Sequence, residues 1–141
     1  MKIYVFGNPF VEEDSLPLKI LPQLKKIFPQ IEFEVVDPNE NFPAKAEKNI
    51  TVLDTVKGLK KPRILDLADL KNIAKTPISP HDYDLLLHFL LLQKMRKISD
   101  VKIIGVPTHH GRDKLVPIKK IISTLILKNE RRRTYRDRKH E

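Results

Sequence analysis

The chain has no cysteine, so disulfides, thiolate nucleophiles and cysteine-held zinc or iron–sulfur sites are all excluded. A metal ion here would have to be held by carboxylate or imidazole. Glycine is scarce, four in 141 residues. No Gly-x-Gly-x-x-Gly and no Walker-type Gly-Lys-Ser/Thr occurs, which removes support for dinucleotide and P-loop sites. Nor is there a Gly-x-Ser-x-Gly elbow; Ser15, Ser79, Ser99 and Ser123 stand in no such setting. Long apolar runs are also missing. The longest, Leu85 to Leu92, is broken by His88 and falls far below the ~20 residues of a membrane span. The opening run Lys2-Ile3-Tyr4-Val5-Phe6-Gly7 is too short for a secretory signal. A cytoplasmic protein with no membrane partner is expected.

What is present reads as one soluble domain: 141 residues, 40% hydrophobic and 32% charged. Many Lys and Glu with few Gly give a thermophile-like composition. The net charge is +9, and residues 128–141 hold seven Lys/Arg against three acids. Such a tail suits phosphate backbones or an acidic partner. It equally suits a solvated helix end, where cations complement the macrodipole. Tyr135 is its only aromatic residue, so the stacking set that single-stranded nucleic acids use is missing, and nucleic acid is the less favoured partner. The expected organisation is an α/β domain over 1–127 and a basic helix extension or tail over 128–141.

Lys2 to Phe6, Ile31 to Val36, Ile50 to Asp54 and Val101 to Val106 read as strands, the first and last of them buried. Leu16, Leu18, Ile20, Leu21, Leu24 and Ile27 form a helical face after Ser15, which Pro22 is expected to kink or split. Lys57 to Leu70 is ambiguous, with a short hairpin or an edge strand near Arg63-Ile64-Leu65. Ser79-Pro80-His81-Asp82 is a helix start: an N-cap serine, a proline at the first position and a capping acid. An apolar helix then runs to about Lys97, and Val116 to Leu127 is a last amphipathic helix, running on into the basic tail. Strands alternating with helices predict an α/β three-layer sandwich. Its twisted, mostly parallel sheet has about five strands, with helices on both faces, as in phosphorylase- and hydrolase-like folds.

In such sheets ligands bind beyond the carboxyl ends of the strands. Glu12-Glu13-Asp14 follows the first strand, Asp54 ends the third, and His81 opens the long helix. Each has an ordinary explanation. Acids favour a helix N-terminus, an aspartate ends a strand by capping a turn, and a surface histidine bonds local backbone. Their conjunction is more informative, because two carboxylates and a neutral imidazole make an oxygen, oxygen, nitrogen set suited to a divalent first-row ion. His109-His110 follows the last strand and reads as a substrate-facing loop or as having no role in the site. His88 reads as structural, and Asp37 as the end of the second strand.

Phe6-Gly7-Asn8-Pro9-Phe10, Glu13-Asp14, Asp54, Ser79-Pro80-His81-Asp82 and Ile104-Gly105-Val106-Pro107 occur in this order across residues 2–107. The arrangement resembles the hydrogenase maturation endopeptidases. Val5 stands where that family commonly has a first glycine, and Ser15 where a glycine usually follows the acids, a position from which Ser15 is expected to cap the helix. The resemblance implies an enzyme that removes a carboxy-terminal extension from the large-subunit precursor of a nickel–iron hydrogenase after nickel insertion. It implies that Asp14, Asp54 and His81 are the metal-contacting and catalytic residues, with Glu13 one position from the same register. The nickel would be carried by the substrate rather than held permanently. Asn8, Glu13, His109 and His110 are the implied substrate-binding residues, and the basic tail would steer an acidic partner. The competing readings are a non-catalytic metal- or partner-binding domain of this fold and a basic nucleic-acid-binding domain.

Overall fold

The structure is a computed structural model that describes residues 1–36, 42, 47–73, 89, 93–94, 96, 98–108 and 115–139. In chain order the elements are β1 (Lys2–Val5), a 3-10 turn (Glu12–Asp14), α1 (Leu16–Ile27), β2 (Glu32–Val35), β3 (Asn49–Thr55) and β4 (Arg63–Leu65). They continue with α2 (Leu67–Ile73), β5 (Asp100–Val106) and α3 (Leu115–Lys139). The strands form one sheet in the order β2-β1-β3-β5-β4. All pairs are parallel except β4 with β5. This is the expected α/β architecture.

Alternation along the strands sorts side chains onto two buried faces. Ile3, Val5, Leu53 and Ile104 pack against Leu16, Ile20 and Leu24 of α1 and against Ile118, Ile122 and Leu125 of α3. Tyr4, Val52 and Ile103 point the other way and join Phe42, Leu67 and Phe89. Phe42 meets Tyr4 and Phe6 edge-on at 4.7 and 5.4 Å, and Phe6 meets Phe89 at 6.2 Å. Such edge-to-face pairs add about 0.5–1.5 kcal/mol each beyond area burial. With both faces covered, β3 and β5 can be nearly continuous apolar runs, and their seven-residue register fixes where their ends stand.

Two expectations are corrected. Pro22 does not split its helix: α1 runs unbroken from Leu16 to Ile27 with Pro22 on the exposed side. A lost ladder bond costs least there, because water can meet the freed carbonyl. Ser15 does not cap α1 with its side chain; its Oγ donates to the Glu12 carbonyl at 2.8 Å, closing the 3-10 turn instead. The last helix runs on into the basic segment, as far as Lys139. The edge strand near Arg63 is present as β4. His81, with the helix start around it, and Asp37, His88, His109 and His110 lie outside the described residues.

Candidate active site

The sheet order creates the crevice. From β1 the chain passes through α1 to β2 on one side, then returns to place β3 on the other side of β1. The connections leaving β1 and β3 therefore diverge, which opens a cleft at the carboxyl ends of these two strands. Phe6 N–H donates to the Leu53 carbonyl at 2.9 Å, so pairing persists to the last residue before the loop.

The loop after β1 is tied back on itself. Asn8 N–H donates to the Asp14 carbonyl at 3.0 Å, and Asp14 N–H to the Val11 carbonyl at 3.0 Å. Asn8 Oδ1 accepts from Phe10 N–H at 3.0 Å, an Asx turn that commits this side chain to the loop. Gly7 is required by close approach. A Cβ there would stand 3.0 Å from the Asp14 carbonyl oxygen and 3.2 Å from Leu18 Cγ. Glu12 and Glu13 are exposed and Asp14 is half-buried, on a turn that packs against β3.

Asp54 is fully buried at the end of β3, on the face shared with Val52 and Val56. Burying a carboxylate is costly unless it is bonded, and Thr55 N–H donates to Asp54 Oδ1 at 2.8 Å. Its register partner on β5 is Gly105. A Cβ on Gly105 would come within 2.7 Å of Leu59 Cδ1 and 3.1 Å of Leu65 Cδ1, so the glycine lets those side chains close over this strand end.

Of the expected site residues, Asp14, Asp54, Asn8 and Glu13 are thus on or beside the cleft, from the loop after β1 and the end of β3. His81, His109 and His110 fall outside the described residues. Among the described residues no three His, Asp or Glu side chains form a metal-holding group.

Two features escaped the sequence reading. Phe10 is 95% exposed and Val11 also lies open, which sets an apolar tip on the loop beside the cleft. Alternation could not have flagged it, because Phe10 belongs to no strand or helix. Thr55, next to Asp54, is buried, and its Oγ1 has no hydrogen-bond partner among the described residues.

No family model matches the chain, and no curated protein matches it. Among solved structures, the fold is similar to the solution structure of an endopeptidase from Escherichia coli, with a TM-score of 0.50 and 19% identity. That match covers 76% of this chain and 74% of the other. An uncharacterized protein from Wolinella succinogenes gives a TM-score of 0.48 and 17% identity over 88% of this chain and 97% of the other. At these identities the likeness to the endopeptidase is one of fold.

Proposed function

We propose that the cleft between β1 and β3 is the active site of an endopeptidase, and that its substrate is the nickel-loaded large subunit of a nickel–iron hydrogenase, trimmed at its carboxy terminus. The observation that carries this reading is the fully buried carboxylate of Asp54 at the strand-order switch, with the turn bearing Asp14 packed against the same strand. A buried acid at a strand end costs folding energy, and functional sites are where such costs are tolerated. The order of motifs from Phe6 to Pro107, similar to the maturation endopeptidases, supplies the substrate. The Escherichia coli endopeptidase of similar fold is compatible with the same chemistry.

In this reading the two aspartates divide the work by environment. Asp54, buried and held by Thr55 N–H, positions the metal that the substrate carries. Asp14, half-buried on the turn, is open enough to exchange protons with water. His81 completes the set with a neutral nitrogen. The substrate's nickel polarises the scissile carbonyl, and water adds to the carbonyl carbon while a carboxylate takes its proton. The same proton passes to the departing amine as the C–N bond breaks. Asn8, Glu13, His109 and His110 flank the peptide, and the exposed Phe10 gives its apolar side chains a contact.

Incubation of the chain with nickel-loaded and nickel-free precursor, followed by intact mass, tests the proposal. Loss of one defined carboxy-terminal fragment from the nickel-loaded form alone is the expected result. If both forms stay intact while another maturation endopeptidase trims the same preparation, the peptidase reading fails and a non-catalytic binding domain replaces it.

A further inference from the structure

The pole opposite this cleft carries a different feature. α3 leaves the carboxyl end of β5 and runs back along the sheet, and its last buried residue, Leu125, lines a cavity of about 210 Å³ with the amino ends of β3 and β5. Lys102, Lys128, Arg132, Arg133 and Arg136 line it against one acid, Asp100. Lys102 comes from the sheet and the other four from the helix, so the cations surround the cavity from two elements. Its volume is below the roughly 300 Å³ of ordinary small-molecule pockets, enough for a phosphate group but not for a whole nucleotide.

The charge does not end at the cavity. Residues 128–139 are helical and exposed over about 18 Å, continuing past Arg136, the last residue that lines the cavity. At about 100° per residue, its seven cations cover an arc of about 220°, while Glu130 and Asp137 sit together in the remaining sector. Charge is therefore sorted around the helix. A flat acidic protein surface would engage a single stripe of such a rod. Two rows of phosphates flanking a groove would engage both sides, and a helix about 10–12 Å across fits a DNA major groove about 12 Å wide. The major groove of duplex RNA is too narrow to admit it.

We propose that this basic pole binds the phosphate backbone of duplex DNA without base specificity. One phosphate row seats against Lys102, Arg132 and Arg136 in the cavity, and the other meets Arg131 and Arg138. Guanidinium forks suit phosphate oxygens, which fits the preponderance of arginine over lysine in the segment. The proposal does not depend on the peptidase reading, because the two sites occupy opposite ends of the sheet.

Fluorescence anisotropy of the full chain with a labelled 24-base-pair DNA duplex tests it. If Lys102, Arg131, Arg132, Arg136 and Arg138 set the affinity, about five neutralised phosphates give a log–log salt slope near −4.5, or roughly 500-fold weaker binding at 200 mM than at 50 mM salt. Arg132→Gln with Arg136→Gln should lower affinity at low salt and reduce the slope toward about −2.7; Lys102→Gln alone should reduce it by about 0.9. Lys19→Gln with Lys25→Gln on α1 removes the same charge and should leave the slope unchanged. Circular dichroism of each variant establishes that the helix persists. Three results would overturn the proposal: no binding at 50 mM salt, equal loss in the α1 control, or tighter binding of a polyglutamate peptide or duplex RNA than of the DNA.

Discussion

Gly7 and Gly105 show how much of the cleft depends on missing atoms. At Gly7 the nearest obstacle to a Cβ is backbone, the Asp14 carbonyl oxygen, so Gly7→Ala must push the loop that holds Asp14 away from β1. At Gly105 the nearest obstacle is Leu59 Cδ1, the far end of a half-buried side chain that can turn aside. Overpacking of this kind costs about 1–3 kcal/mol. Urea unfolding should therefore place Gly7→Ala toward the upper end of that range and Gly105→Ala toward the lower; the reverse order would show that the loop yields more easily than the leucine. Asp54 allows a cleaner test of chemistry. Asp54→Asn keeps the volume and the acceptor for Thr55 N–H while removing the charge, so a chain with unchanged circular dichroism should lose processing by roughly 10²–10⁴-fold. Asp54 was legible in the sequence as an acid closing an apolar run, and its full burial is what the sequence alone did not reveal. The different exposure of Glu12, Glu13 and Asp14 was not legible either, since three consecutive acids look alike until a 3-10 turn exposes two of them and tucks the third.

At the scale of elements, β1, β2, β3 and β5 match their sequence expectation to within one residue at each end, because β-branched and aromatic runs bounded by turn residues have few other solutions. α2 was missed. Its signal is a reciprocal cap in which Asp69 N–H donates to Asp66 Oδ1 at 2.7 Å and Asp66 N–H to Asp69 Oδ2 at 3.0 Å. Asp at both ends of this box, rather than Ser and Glu, hides it from a search for the usual pair. The extension of α3 was legible from Ile118 onward, since no glycine or proline follows and Lys, Arg and Glu are good helix formers. Packing of α3 rests on few side chains, and Ile122→Ala should cost about 2–5 kcal/mol in urea unfolding. The first strand carries a pH-dependent contact. Tyr4 OH donates to Glu47 Oε1, and burial, then this bond, hold the phenol above its ordinary value. A raised value in the folded state means that the stabilisation is complete below about pH 10 and is lost as pH rises through the folded value. Lys2, raised chiefly by its hydrogen bond to Glu34, drifts in the same direction, so the diagnostic is the difference between wild type and Tyr4→Phe. That difference should be flat from pH 7 to 9 and shrink in magnitude above pH 10; a flat difference to pH 12 would remove Tyr4 from the alkaline response.

At the scale of the whole molecule, the sheet separates two chemistries. Carboxylates gather where β1 and β3 end, and cations gather where β3 and β5 begin. All buried residues of α3 precede Lys128, so removing residues 128–141 should shift the melting temperature by only a few degrees, leave precursor processing intact and abolish DNA binding. Loss of processing in that truncated chain would instead make the basic segment part of the substrate's docking path. Among the described residues no helix is long and apolar enough to cross a membrane, in keeping with the short apolar runs of the sequence. The central claim is that the cleft beside Asp54 cuts a peptide bond. The most direct measurement is the intact mass of nickel-loaded large-subunit precursor after incubation with wild type, Asp54→Asn and the Arg132→Gln/Arg136→Gln variant in parallel. The account predicts one defined carboxy-terminal fragment released by wild type and by the arginine variant, with Asp54→Asn leaving the precursor whole. A fragment released equally by Asp54→Asn would contradict it and move the chemistry elsewhere on the molecule.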